Sequence, residues 1–100
     1  EGILRLLNAA TGADYSMETL LQAGERVVNA ERLFLVRAGF SAKNDSLPQR
    51  IINEPLPDGP AKGHVCELNK MLRPYYKLRG WDSEGRPNAS KIKALGLDAF

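Results

Sequence analysis

The stretch SMETLLQAGERVVNAERLFLVRAG, residues 16–39, constrains the fold more than any other part of the chain. Apolar residues recur at Leu20, Val27 and Phe34, and again at Leu21, Val28 and Leu35, each series spaced by seven. That period belongs to a helix and cannot be satisfied by a strand, whose faces alternate every second residue. Ser16 is a natural N-cap, and Glu18 sits in the first turn, where the helix dipole favours an acid. Gly39 closes the segment. The spacing therefore predicts a helix over 16–38, about 34 Å long at 1.5 Å per residue. Ala23, Leu33, Val36 and Ala38 widen its stripe, and so wide an apolar face predicts burial on several sides. Gly24 inside the helix costs about 1 kcal/mol relative to alanine. It either lets another helix approach closely or is a tolerated defect.

The flanks read in the same way. EGILRLLNAAT predicts a helix near 2–11 that stops at Thr11-Gly12. LPQRII predicts a short turn of helix near 47–52, with Pro48 at its first position. ELNKMLRPYYKLRG predicts a helix near 67–79 that ends at Gly80 and breaks or kinks near Lys70–Arg73, because Pro74 lacks an N–H and clashes with the carbonyl four residues back. WDSEGRP is a turn, and NASKIKALG predicts a last helix near 88–95 with Asn88 as cap. A brief pairing of Val65 with Ile51 and Ile52 is the one candidate for extended structure. The expected fold is all-α, a small irregular multi-helix domain spanning 1–100.

Between the third and fourth helices lies EPLPDGPAKGHV, residues 54–65, with three prolines and two glycines in twelve positions. Pro55 and Pro57 fix their own φ and push Glu54 and Leu56 into extended conformations. Asp58-Gly59-Pro60 is expected to turn. A stretch so stiff loses little entropy on ordering, which suits a fixed wall better than a mobile lid; otherwise it simply wraps the outside of the helices.

Composition removes several classes of function. A chain of 100 residues fits one domain, able to bury about 65% of the surface its unfolded form exposes. The net charge of +2 is small for a nucleic-acid binder, and no apolar run approaches the roughly 18 residues of a membrane span. Cys66 is the single cysteine, so an internal disulfide is excluded and a reducing, cytoplasmic setting fits. One histidine, His64, beside Cys66 and Glu67 falls short of a four-ligand zinc site or a four-thiolate cluster. Cys66 then reads as a small apolar residue and His64 as a loop histidine bonded to backbone or water. Asp14, Asp45, Asp58, Asp82 and Asp98 read as turn or cap residues. GPAKG lacks the spacing of a phosphate loop, and Pro57–Pro60 is a chance-level P-x-x-P match. The chain opens on Glu1 inside a helical pattern, which we read as a piece of something longer.

Taken in order, NAERLFLVRAGF, DSLPQRIINEPLPDGPAKG and YYKLRGWDSEGRP resemble the carboxy-terminal end of the tungsten-containing aldehyde:ferredoxin oxidoreductase family. The resemblance runs over almost the whole chain. It implies a much larger enzyme that oxidises aldehydes to carboxylic acids and passes electrons singly to ferredoxin. It also implies a tungsten or molybdenum bis-pterin and a [4Fe–4S] cluster, clasped between a β-rich domain and two helical domains. The family's cluster cysteines lie in motifs absent from these residues, and Cys66 stands in a different segment, so no ligand role is carried to it. Pro74 stands where the family has ordinary helix formers. No catalytic, cofactor-binding or metal-binding residue is assigned in this chain, which is expected to be inactive and self-associating on its own, its natural partners being the remaining domains. The proline loop is expected to face a neighbouring domain or substrate passage, with Glu54, Lys62, Gly63 and His64 nearest to it. Two other readings are a free-standing helical interaction module and, more weakly, a nucleic-acid binder.

Overall fold

A computed structural model describes residues 1–99. The element order is α1 (Gly2–Thr11), α2 (Met17–Arg37), a 3₁₀ turn (Ala42–Asn44), α3 (Gln49–Asn53), α4 (Leu68–Arg79) and α5 (Ala89–Ala94). No strand forms among the described residues; Trp81 and Pro87 make an isolated antiparallel bridge. The all-α reading holds, and local chemistry sets each boundary. Ser16 accepts from the Thr19 amide at 3.1 Å while the Thr19 hydroxyl accepts from the Ser16 amide at 2.9 Å, a reciprocal cap that starts α2 one residue later. Asn88 accepts from the Lys91 amide at 2.9 Å and caps the start of α5 in one direction only. At the far end of α2, Gly39 N–H goes to Val36 O and Phe40 N–H to Leu35 O, which closes the last carbonyls.

Three expectations need correction. Pro48 is the residue before α3, with extended backbone (ψ 139°), and Gln49 is the first helical position. Of the kink or break expected near Lys70–Arg73, the break does not occur, since Leu68–Arg79 is one helix with Pro74 inside it. Lys70 and Pro74 lie one turn apart on an exposed face, so water can take up the Lys70 carbonyl that proline leaves without an amide. No extended pairing forms around Val65, although Cys66 N–H donates to Ile51 O at 3.0 Å and fastens the loop to α3.

The larger correction concerns burial. The chain measures 49 × 34 × 21 Å with a radius of gyration of 17.7 Å, against about 13 Å for a closed 100-residue domain. Its accessible surface is 7879 Å², whereas a compact monomer of this mass exposes about 5,600 Å². Tyr76, Leu95 and Leu97 are the large apolar residues fully buried. The α2 stripe that should have built a core is largely open: Phe34 is 71% exposed, and Leu21 and Val27 are exposed too. Nothing approaches within 4 Å of a Cβ placed on Gly24, so no helix packs there within the described residues.

Candidate functional site

What α2 buries is its mixed face. Asn29 is wholly inaccessible and Arg32 is 7% exposed. At 3.6 residues per turn they lie on the side of α2 roughly opposite Val27 and Phe34. Against them sits the turn WDSEGRP, closed by Asp82 N–H to Arg86 O at 2.8 Å and by Asp82 Oδ1 accepting from the amides of Glu84 and Arg86. The turn leaves α4 through Gly80, whose φ of 70° suits the helix stop.

Arg32 is the hub. Its Nε donates to Gly85 O at 2.6 Å, and its two terminal nitrogens donate to the two oxygens of Asp45 at 2.7 and 2.5 Å. The guanidinium also lies over the Trp81 ring, 4.8 Å from the centroid. The Tyr76 hydroxyl donates to the same Asp45 carboxylate, and Trp81 Nε1 donates to Asn29 Oδ1 at 2.8 Å. Asn29 in turn donates to Glu25 O at 2.8 Å. One helix, one loop, one hairpin turn and a fourth segment therefore converge on a single arginine. Gly85 has φ 71°, and a side chain there would collide with the Arg32 guanidinium and press on Tyr76 Cζ at 3.2 Å. Beside this hub Glu25 accepts from Arg79 and, at 3.4 Å, from Lys91, and Arg26 Nε donates to Leu95 O at 2.9 Å. These contacts dock α5 and the end of α4 on α2.

The hydrogen bonds from Arg32 hold the Asp45 carboxyl below the usual carboxylate range; burial opposes them and the Tyr76 hydroxyl reinforces them. Burial, then donation to Asp45, pushes the Tyr76 phenol up to about 12. The stabilisation from Asp45 is present above the ordinary carboxylate pKa and is lost as pH falls through its lowered value. That from Tyr76 is complete below pH 10.0, the ordinary value, and is lost as pH climbs through about 12. Thermal stability measured against pH should therefore fall at both extremes. In Tyr76→Phe the component of the alkaline fall due to this phenol should vanish while an acid fall remains.

This arrangement ties α2, the 3₁₀ segment, α4 and the WDSEGRP turn together. A cleft of about 810 Å³ lies elsewhere, between α3 and the proline loop. Pro48, Ile51, Leu56, Val65 and Cys66 give it an apolar lining, and Glu54 and His64 stand on it. Glu54 is paired with Arg50 at 3.4 Å, both side chains well exposed. The loop is held as a closed arch: Leu56 N–H donates to His64 O at 3.1 Å and Gly63 N–H to Leu56 O at 2.9 Å. Its tight turn runs over 60–63, a little beyond the expected Asp58–Pro60, with Lys62 N–H to Gly59 O at 3.1 Å. Of the four residues singled out in the loop, the fold brings Glu54 and His64 to one cleft and leaves Lys62 and Gly63 off its lining. All four are exposed. Cys66 is half-buried with its Sγ 4.0 Å from Met71 Sδ, and Glu67 bonds Lys70.

Sequence reading missed the hub. Asp45 read as a turn residue, which it is, as the cap of the 3₁₀ segment, but its carboxylate is the acceptor for Arg32 and Tyr76. Asn29 and Arg32 were not singled out at all. The signal available was the family resemblance. Its three most specific pieces contain Asn29 and Arg32, then Asp45, then Tyr76, Trp81 and Gly85, so the motif is the hub written out along the chain.

A family model described as "Aldehyde ferredoxin oxidoreductase, domains 2 & 3" matches residues 1–97. The chain belongs to this family. A tungsten-containing aldehyde ferredoxin oxidoreductase of Pyrococcus abyssi is 54% identical over 96 residues, covering 95% of this chain and 16% of the relative. The protein of the same name in Thermococcus kodakarensis is 52% identical over the same share. An aliphatic sulfonate oxidoreductase, WOR-like subunit, of Pyrococcus furiosus is 30% identical over 97% of this chain and 17% of its own length. The chain thus spans about one sixth of the length of the curated aldehyde ferredoxin oxidoreductases it matches. Among the described residues no three His, Cys, Asp or Glu side chains gather as a metal ion held by protein ligands requires. No described helix is long and apolar enough to cross a membrane.

Proposed function

We propose that these residues are a structural segment from the carboxy-terminal end of a cytoplasmic tungsten-pterin, iron–sulfur enzyme that oxidises aldehydes to carboxylic acids with ferredoxin as electron acceptor. In this reading every ligand of the metal and the cluster lies in other parts of the polypeptide. The segment's work is to hold helix faces and the proline arch against those parts. The observation that carries it is the misplaced apolar surface. Ile3 and Leu6 on α1, Val27 and Phe34 on α2, Met71 and Leu78 on α4 all stand open, with Leu78 81% exposed. Against a compact monomer the surplus surface is about 2,300 Å², the scale of permanent interfaces rather than transient ones.

A free-standing interaction module would be polar except for one groove. Here exposed apolar residues are spread over α1, α2, α3, α4 and the loop, which favours a segment enclosed on several sides. The exposed arch of Glu54, Lys62, Gly63 and His64 is then one of the surfaces turned toward a neighbouring domain or the substrate passage. The isolated chain should self-associate through the same faces. Sequencing the gene 5′ to the codon for Glu1 tests the reading. Several hundred in-frame codons with cysteines at C-x-x-C-x-x-x-C spacing are expected; a stop codon and start site immediately upstream would overturn it.

A further inference from the structure

A glycine inside a helix weakens it, because it gives up more backbone freedom than alanine and packs nothing in return. The chain has nine glycines. Seven have positive φ, the region that favours glycine, and Gly2 is the first residue of α1. Gly24 alone stands within the body of a helix. The packing of the described residues does not call for it either, since a Cβ placed there would meet nothing within 4 Å.

Its surroundings are specific. Residues three and four apart are neighbours on a helix surface, so Gly24 is ringed by Leu20, Leu21, Val27 and Val28. Leu21 and Val27 are more than half exposed, while Leu20 and Val28 are half-buried. Four apolar side chains around a position that has none make a socket, and its floor is backbone already bonded within α2. Two turns beyond Gly24 along the same stripe, the seven-residue step reaches Glu31, which is exposed.

We infer that a helix from a part of the same polypeptide outside residues 1–100 crosses α2 at Gly24 and seats an apolar side chain in this socket. This deepens the reading of the chain as an enclosed segment and rests on it. The chemistry of the socket selects a helix. Its walls are hydrocarbon, so an extended segment buried there would leave its own N–H and C=O groups unpaired, whereas a helix satisfies them internally. Glu31 selects a crossing over a lengthwise contact. A helix lying along α2 would bury that carboxylate, whereas one that interdigitates at an angle clears it. The length of the polypeptide selects the source. The chain spans 16% of a relative that matches 95% of it, so in this reading most of the polypeptide lies outside these residues. A tethered segment also has an effective concentration that a separate molecule lacks.

The test uses the full-length protein. A photoreactive benzophenone amino acid replaces Leu21 in one variant and Val27 in another, with Gly24 intact, and the irradiated products are mapped by peptide mass spectrometry. Attachment is expected outside residues 1–100, at positions three, four or seven apart on one segment, the spacing of a helix face. Gly24→Leu should lower the melting temperature of the full-length protein, although leucine is the better helix former, because the new side chain fills the socket. Attachment within residues 1–100, a product of doubled mass on a denaturing gel, attachment scattered over several segments, or none at all would each overturn the inference. So would a melting temperature that Gly24→Leu raises or leaves unchanged, the result for a glycine that faces solvent. A gene that encodes nothing beyond these residues would instead overturn the reading beneath it, and that result is read from the DNA.

Discussion

Replacing Arg32 with methionine should destabilise the chain by about 3–5 kcal/mol, the cost of leaving a buried charge without its partner. The value follows from what the guanidinium holds. Methionine matches the length of the side chain but removes both bonds to Asp45, the bond to Gly85 O and the stacking on Trp81. Asp45 would keep only the Tyr76 hydroxyl. Arg32→Lys should be nearly as costly, since an ammonium cannot make the two-pronged contact while also reaching the Gly85 carbonyl. The double variant Arg32→Met, Asp45→Leu separates the cost of an orphaned charge from the worth of the pair. If desolvation dominates, it recovers a large part of the loss. Full recovery is not expected, because Tyr76 and Gly85 O would still lack partners. Urea denaturation of the parent, Arg32→Met, Asp45→Leu and the double variant, read as a double-mutant cycle, gives these terms.

Much of the local structure was legible because short-range chemistry decides it. Ser16, Asn88, Gly39 and Gly80 are caps whose partners lie within a few residues, and each marks its boundary to within a residue of where the helix starts or stops. Pro48 and Pro74 were harder. Proline restricts φ but does not say whether it precedes a helix or opens it, nor whether water can satisfy the carbonyl it strands. The hub was illegible for a different reason. Asn29, Arg32 and Asp45 are polar, and polarity at helical spacing normally means solvent; only the long-range partners at 81 and 85 make the buried reading possible. The apolar stripe misled in the opposite sense. Its periodicity specifies a helix with a surface to bury, not which polypeptide buries it.

That asymmetry gives the second prediction. Phe34→Asp should leave the stability of residues 1–100, measured as a monomer at concentrations too low for self-association, within about 0.5 kcal/mol of the parent, because a side chain 71% exposed loses little contact. In the full-length protein the same change should cost about 3–5 kcal/mol for the lost aromatic burial. The desolvated carboxylate adds to that unless it is protonated or reaches water. The expected phenotype is a folded segment within a protein that no longer closes around it. Phe34→Ala should show the same contrast without the charge, and an Asp at an exposed polar position of α2, Glu31→Asp, should be indifferent in both settings.

The same residue provides the most direct measurement. Hydroxyl-radical footprinting of the native full-length protein, with side chains quantified by mass spectrometry, reports how far Phe34, Leu6 and Leu78 are shielded from solvent. Strong protection of all three relative to the denatured protein is expected, although residues 1–100 by themselves leave them bare. Reactivity as high in the native full-length protein as in the denatured one would contradict the claim that this segment is enclosed by the rest of an oxidoreductase.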